Sequence, residues 1–189
     1  MELRRNGLMA SAHPARRIAI LSMMVAVSHV GRLMFQFLPN VQPVTAILII
    51  LTLSMGMTDG MIVAVLSILV SNLTLGMGIW TIAQIASYII IILITGALIR
   101  PVFQKLPVWV MIIYTAFTGL LYGFVISVIM SYLLGLESFW VYYSFGIPMD
   151  IMHAFGNGAF YFVLSPVLFP LIERGLKLKK LSKRGNKNN

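Results

Sequence analysis

Gly146, Asp150, His153, Asn157 and Tyr161 recur at intervals of three and four residues. That spacing places side chains on one face of an α-helix. A carboxyl, an imidazole, an amide and a phenol in one stripe form a set of hydrogen-bond donors and acceptors, two of them able to carry charge near neutral pH. Trp80, Gln84, Ser87 and Tyr88 repeat the pattern earlier in the chain, and Ser71 and Asn72 close another apolar stretch. Asn40 and Gln42 sit in a proline-bracketed loop, and His29 and Arg32 lie near the end of the first apolar run. These groups suit the binding of a polar small molecule. Other chemistries have no residues to carry them. There is no G-x-x-x-x-G-K-[ST] loop, so ATP hydrolysis by this chain is not expected. No H-E-x-x-H, G-x-S-x-G or paired-carboxylate pattern is present. His13, His29 and His153 lack metal-ligand spacing, and the chain has no cysteine, so neither a metal site nor a disulfide is expected.

The segments that hold these residues are hydrophobic throughout. Of the 189 residues, 59% are hydrophobic and 10% charged, and the mean hydropathy is +0.94. A soluble domain carries about 25% charged residues, too many for this chain to match but unnecessary against lipid. The expected fold is all-α, an integral membrane bundle of six transmembrane helices forming one domain over residues 1–189. A span needs roughly 20 apolar residues. The apolar runs predict spans at about residues 17–37, 43–57, 60–75, 79–99, 108–134 and 146–172. Pro39 and Pro43, a turn at Asp59-Gly60, Gly76-Met77-Gly78, Pro101 and Pro107, and the loop from Gly135 to Ser144 separate them.

The net charge of +9 is distributed as a topology signal rather than a nucleic-acid footprint. Arg4, Arg5, Arg16 and Arg17 precede the first span, and Arg174 with the basic tail over residues 177–189 follows the last. Arg100 and Lys105 share one internal loop, and Arg32 is the one basic residue elsewhere. Six spans with both termini cytoplasmic put all the basic clusters on one side and leave Glu137 in an outer loop. The localisation expected is a multi-pass protein of the cell membrane, and the tail is expected to fray or lie on anionic headgroups.

In that topology Arg32, Asn40, Gln42, Asn72, Trp80, Gln84, Tyr88, Asp150, His153 and Asn157 all fall in the outer half. They are the expected lining of an outward-facing pocket for a small molecule; helix–helix hydrogen bonding is the competing reading. Arg32 and Asp150 lie at similar depth, where they either pair as an architectural ion pair or meet the ligand. The aromatic run Phe139, Trp140, Tyr142 and Tyr143 reads as an interfacial belt or a cover over the ligand. Ala19, Ser22 and Ala26 form a small-residue stripe on the first span, away from Arg32, over which another helix can approach closely.

The string Gly31-Arg-Leu-Met-Phe-Gln-Phe-Leu-Pro-Asn-Val-Gln-Pro-Val-Thr45, followed by Ser71-Asn-Leu-Thr-Leu-Gly-Met-Gly-Ile-Trp-Thr81 and Gln84, resembles the substrate-binding S components of energy-coupling factor (ECF) transporters. It is most similar to a subfamily with members assigned to cobalamin uptake. The resemblance implies a membrane subunit that binds a vitamin from the outside with high affinity. Cobalamin would be the transported substrate, with riboflavin or another vitamin as the alternative, and no cofactor would be resident. It implies docking through an A-x-x-x-A motif on the first helix, matched here by Ser22 to Ala26 or by Ala15 to Ala19. The partners implied are an ECF transmembrane coupling subunit and two ATP-binding subunits, which would hydrolyse the ATP. Two readings from other classes stand beside it: a proton-coupled secondary transporter using Asp150 and His153, and a ligand-free assembly protein. Inverted repeats, common in secondary transporters, are not visible.

Overall fold

The computed structural model describes residues 14–177. Arg4, Arg5, His13 and nearly all of the predicted basic tail lie outside the described residues. The rest is helical, with no strand among the described residues. The helices are α1 (Pro14–Met34), α2 (Val44–Met55), α3 (Met57–Leu75), α4 (Trp80–Ile94), α5 (Val108–Leu133) and α6 (Phe139–Lys177). Beyond Ile94 the chain stays helical through a π-helical turn (Thr95–Ile99) and two short turns to Lys105. The all-α bundle expected from the apolar runs is therefore what forms. Counting α4 with its continuation, five helices are long and apolar enough to cross a membrane.

α2 is the exception, and its composition explains why. It has 12 residues, Val-Thr-Ala-Ile-Leu-Ile-Ile-Leu-Thr-Leu-Ser-Met, which make about 18 Å of helix against a hydrocarbon core of roughly 30 Å. Every residue but Ser54 is buried, and the helix touches each of the other five. A helix without a polar face belongs at the centre of a bundle, and α2 is the post around which the others pack.

The helices alternate in direction. Arg17 at the start of α1 meets Asp59 at the start of α3, and Gly175 near the end of α6 faces Ile20 of α1. Both described termini thus share one end of the bundle with Asp59 and Arg100. α5 and α6 make the most extensive helix pair, and glycines set its antiparallel register. A Cβ on Gly123 would overlap the Asp150 carboxyl; one on Gly119 would lie 2.5 Å from the Ala154 nitrogen; Gly158 lies against Ile112 and Ala116. Bare backbone at these points allows the close approach that helices in lipid use in place of a hydrophobic driving force.

Three boundaries differ from the sequence expectation: Arg100 to Lys105, expected as a loop, continues the helix of α4 in short turns, and two others shift. The turn between α2 and α3 falls at Gly56, not at Asp59-Gly60. Gly56 has φ +111°, in the region glycine tolerates, and its N–H bonds the Thr52 carbonyl at 2.9 Å. Asp59 instead lies in the first turn of α3, where a carboxylate complements the helix dipole. The last helix starts at Phe139 rather than Gly146, so the aromatic run is helical and not a loop. Phe139 stacks on Tyr143, one turn later, with ring centroids 5.6 Å apart. No residue of α6 from Phe139 to Met149 is buried.

Candidate ligand-binding site

A polar layer crosses the bundle in the half away from the termini, and all six helices contribute to it. Arg32, two residues before the end of α1, is 6% exposed. Its Nη1 donates to Ser71 Oγ and, at 3.2 Å, to Asn72 Oδ1. Ser71 and Asn72 stand in the last turn of α3, one turn short of Gly76, which ends that helix. The Asn72 amide nitrogen donates to Thr81 Oγ1 at 2.9 Å and to Gln84 Oε1 at 2.8 Å, both in the first turns of α4. One asparagine thus joins three helices.

The layer continues through aromatic rings. Tyr122 of α5 and Tyr88 of α4 are both buried there. The Tyr88 and Tyr122 ring centroids are 4.7 Å apart. Tyr122 meets the His153 ring edge to face at 4.7 Å. His153 is 3% exposed, and its Nε2 bonds the Thr45 hydroxyl of α2 at 3.1 Å. Asp150 and Asn157, one turn to either side of His153 on α6, are 5% and 0% exposed.

Several buried polar atoms here have no hydrogen-bond partner among the described residues: Arg32 Nε, Asp150 Oδ2, His153 Nδ1 and both amide atoms of Asn157. Buried polar groups are normally paired, and here five atoms on four residues of one layer are left with unused hydrogen-bonding capacity.

The structure sorts the residues picked out by the sequence. Arg32, Asn72, Gln84, Tyr88, Asp150, His153 and Asn157 are brought into the layer. The direct Arg32–Asp150 pair anticipated from depth is not made: Arg32 turns to Ser71 and Asn72, while the Asp150 carboxyl packs on the bare backbone at Gly123. Trp80 lies outside the layer. It is 46% exposed, and its ring covers Gly78 in the α3–α4 turn, so it is not a wall of this site. Asn40 and Gln42 are half-buried in the α1–α2 loop and join none of the layer's hydrogen bonds. Asn40 takes φ +56°, a left-handed conformation that asparagine adopts more readily than most residues. That loop packs inward, with Val41 against Gly156 and Phe35 edge-on to Phe160 at 5.0 Å.

Thr45, Thr81 and Tyr122 were not singled out by sequence reasoning. Tyr122 had a signal, because Thr115, Thr118 and Tyr122 keep helical spacing and are all buried. Thr45 and Thr81 end the two strings that carry the family resemblance, but as lone hydroxyls near the start of their helices they show no spacing of their own. Ala19, Ser22 and Ala26 are exposed along α1, while Ser28 and Arg32 on other faces are buried. At the terminus-bearing end, a cavity of about 370 Å³ is bordered by Arg17, Met57, Asp59, Arg100 and Leu176. There Arg17 Nε donates to Asp59 Oδ1 at 2.8 Å.

The family described as ECF transporter, substrate-specific component, matches this chain over residues 16–169. No curated protein and no solved structure matches it.

Proposed function

Because the chain belongs to the family of ECF transporter substrate-specific components, and is thereby a multi-pass membrane subunit of a transporter rather than an enzyme, we propose that it captures a vitamin from outside the cell, the vitamin being cobalamin. Both termini are then cytoplasmic, and the polar layer lies in the outer half of the membrane. The substrate passes inward with a shared membrane subunit, driven by ATP hydrolysed on two partner subunits.

The observation that carries this reading is the layer itself. Seven of its side chains come from the set that the sequence alone marks as ligand-facing, and several present buried atoms with no partner in the chain. The corrin periphery of cobalamin is rich in amides, the complement of Asn157, Gln84 and Asp150. Arg32, Asn72, His153 and Asn157 are each at most 6% exposed, so a ligand of that size reaches them only after the helices or the loops around them move apart.

Calorimetric titration of the purified protein with cyanocobalamin and with riboflavin tests the proposal. Asp150→Asn, Gln84→Ala and His153→Ala each remove a partner for a buried group, a loss of about 1–3 kcal/mol, or roughly five- to more than a hundredfold in affinity. Ser54→Ala and Thr58→Ala, at the opposite end, should leave affinity unchanged. Equal affinity across both sets would refute the placement of the site, and tight binding of riboflavin alone would refute cobalamin. Uptake that needs the partner ATPases and survives a protonophore at constant ATP is expected. Collapse under the protonophore would favour a proton-coupled carrier acting through Asp150 and His153.

A further inference from the structure

The polar layer holds one basic and one acidic side chain, and neither is neutralised within the described residues. The Arg32 guanidinium donates only to the neutral oxygens of Ser71 and Asn72, and its Nε is buried without a partner. Among the described residues no carboxylate lies within ion-pair distance of it. Asp150, three residues before His153, has an unpartnered buried Oδ2 and no cation beside it. A buried charge is tolerated only when it is paired or fully hydrogen-bonded, and within lipid an ionisable side chain is functional by default. Had the two served only to tie α1 to α6, they would face each other. Instead Arg32 turns to Ser71 and Asn72 while the Asp150 carboxyl packs on the backbone of Gly123.

We infer that the ligand neutralises both: an anionic group, phosphate or carboxylate, is set against Arg32, and amide or amine N–H donors are set against Asp150. This rests on the layer being the vitamin site, and it narrows the substrate class to molecules carrying an anion and N–H donors on separate parts. A neutral polyol or a purely apolar ring leaves Arg32 uncompensated and is rejected. Asn157 and His153 Nδ1 then read the polar groups between the two charged ends.

Two pairs of probes test this: riboflavin 5′-phosphate against riboflavin, which differ only by the phosphate, and cyanocobalamin against dicyanocobinamide, which lacks the phosphodiester together with the ribose and dimethylbenzimidazole of the nucleotide loop. The anionic member of whichever pair binds should bind about thirtyfold tighter or more. Arg32→Gln should abolish that preference in the flavin pair and reduce it in the corrinoid pair, while Asp150→Asn should weaken both members alike. No preference in the wild type, or a preference undiminished by Arg32→Gln, would overturn the inference. If neither pair binds, the choice of vitamin fails, and the melting temperature of the ligand-free protein decides the role of the two charges. Arg32→Gln, which keeps an N–H donor for Ser71 and Asn72, and Asp150→Asn should each raise it, because each removes an uncompensated buried charge and keeps a polar side chain in its place. A fall in either variant would show that its charge is architectural, and would overturn the inference whichever vitamin is carried.

Discussion

Asn72 shows how much one amide can hold in a membrane bundle. Its oxygen accepts from Arg32 and its nitrogen donates to Thr81 and Gln84, so the ends of α1, α3 and α4 are fixed together. Asn72→Leu keeps the branched side-chain shape and removes all three bonds. It is expected to cost about 1–3 kcal/mol, read as a lower melting temperature in detergent together with weaker ligand binding. The two glycines of the α5–α6 seam should separate stability from binding. A methyl at Gly119 meets the Ala154 backbone, which cannot rotate away, whereas a methyl at Gly123 meets the end of the Asp150 side chain. Gly119→Ala should therefore lower the melting temperature more, by an overpacking cost of about 1–3 kcal/mol. Gly123→Ala should hurt ligand affinity more, because Asp150 must swing aside. The opposite ranking in paired melting and titration experiments would refute this account of the seam.

At the scale of the element, α1 has two faces with different duties. Met24 and Ile20 are buried in the core, while Ala19, Ser22 and Ala26 face outward. The outward stripe is proposed to dock on the coupling subunit, since small side chains let a partner helix come close. Ser22→Trp with Ala26→Trp should abolish co-purification with that subunit while leaving melting temperature and ligand affinity near wild type. Met24→Trp should instead destabilise the isolated protein. Retained co-purification in the double variant would remove the docking face from this stripe. The Arg17–Asp59 pair ties the first turn of α1 to that of α3, but the Arg17 side chain is 46% exposed. An ion pair so open is worth about 0–1 kcal/mol. Asp59→Asn should accordingly shift the melting temperature little.

For the whole molecule, the arrangement places both described chain ends at the end opposite the polar layer. The basic clusters then predict cytoplasmic termini. The native chain has no cysteine, so single cysteines introduced at positions 40, 137 and 183 can be read without background. An impermeant thiol reagent applied from outside should label 40 and 137 and spare 183. Labelling of 40 and 183 from the same side would overturn the orientation.

Composition and the period of its apolar runs determine that this chain is an all-helical membrane bundle, and roughly where each helix lies, though the fourth runs on to Lys105 and the last begins seven residues before its expected span. Hydropathy is a local property, legible wherever a run is long enough. The polar stripes of α4 and α6 were legible for the same reason, as was the small stripe of α1. Three features were not. The sequence could not show that α2, as apolar as its neighbours, is the central post, because that rests on which helices surround it. It could not show where Arg32 turns: depth alone set it opposite Asp150, and only the packing of α1 against α3 gave it Ser71 and Asn72. It placed Trp80 and the aromatic run by residue type, whereas the α3–α4 turn carries Trp80 out over Gly78 and the Phe139–Tyr143 stack draws the run into α6. Contacts between helices depend on rotation and close approach, set here by Gly119, Gly123 and Gly158. No one-dimensional period encodes those, so the membership of the polar layer was decided only by the tertiary structure.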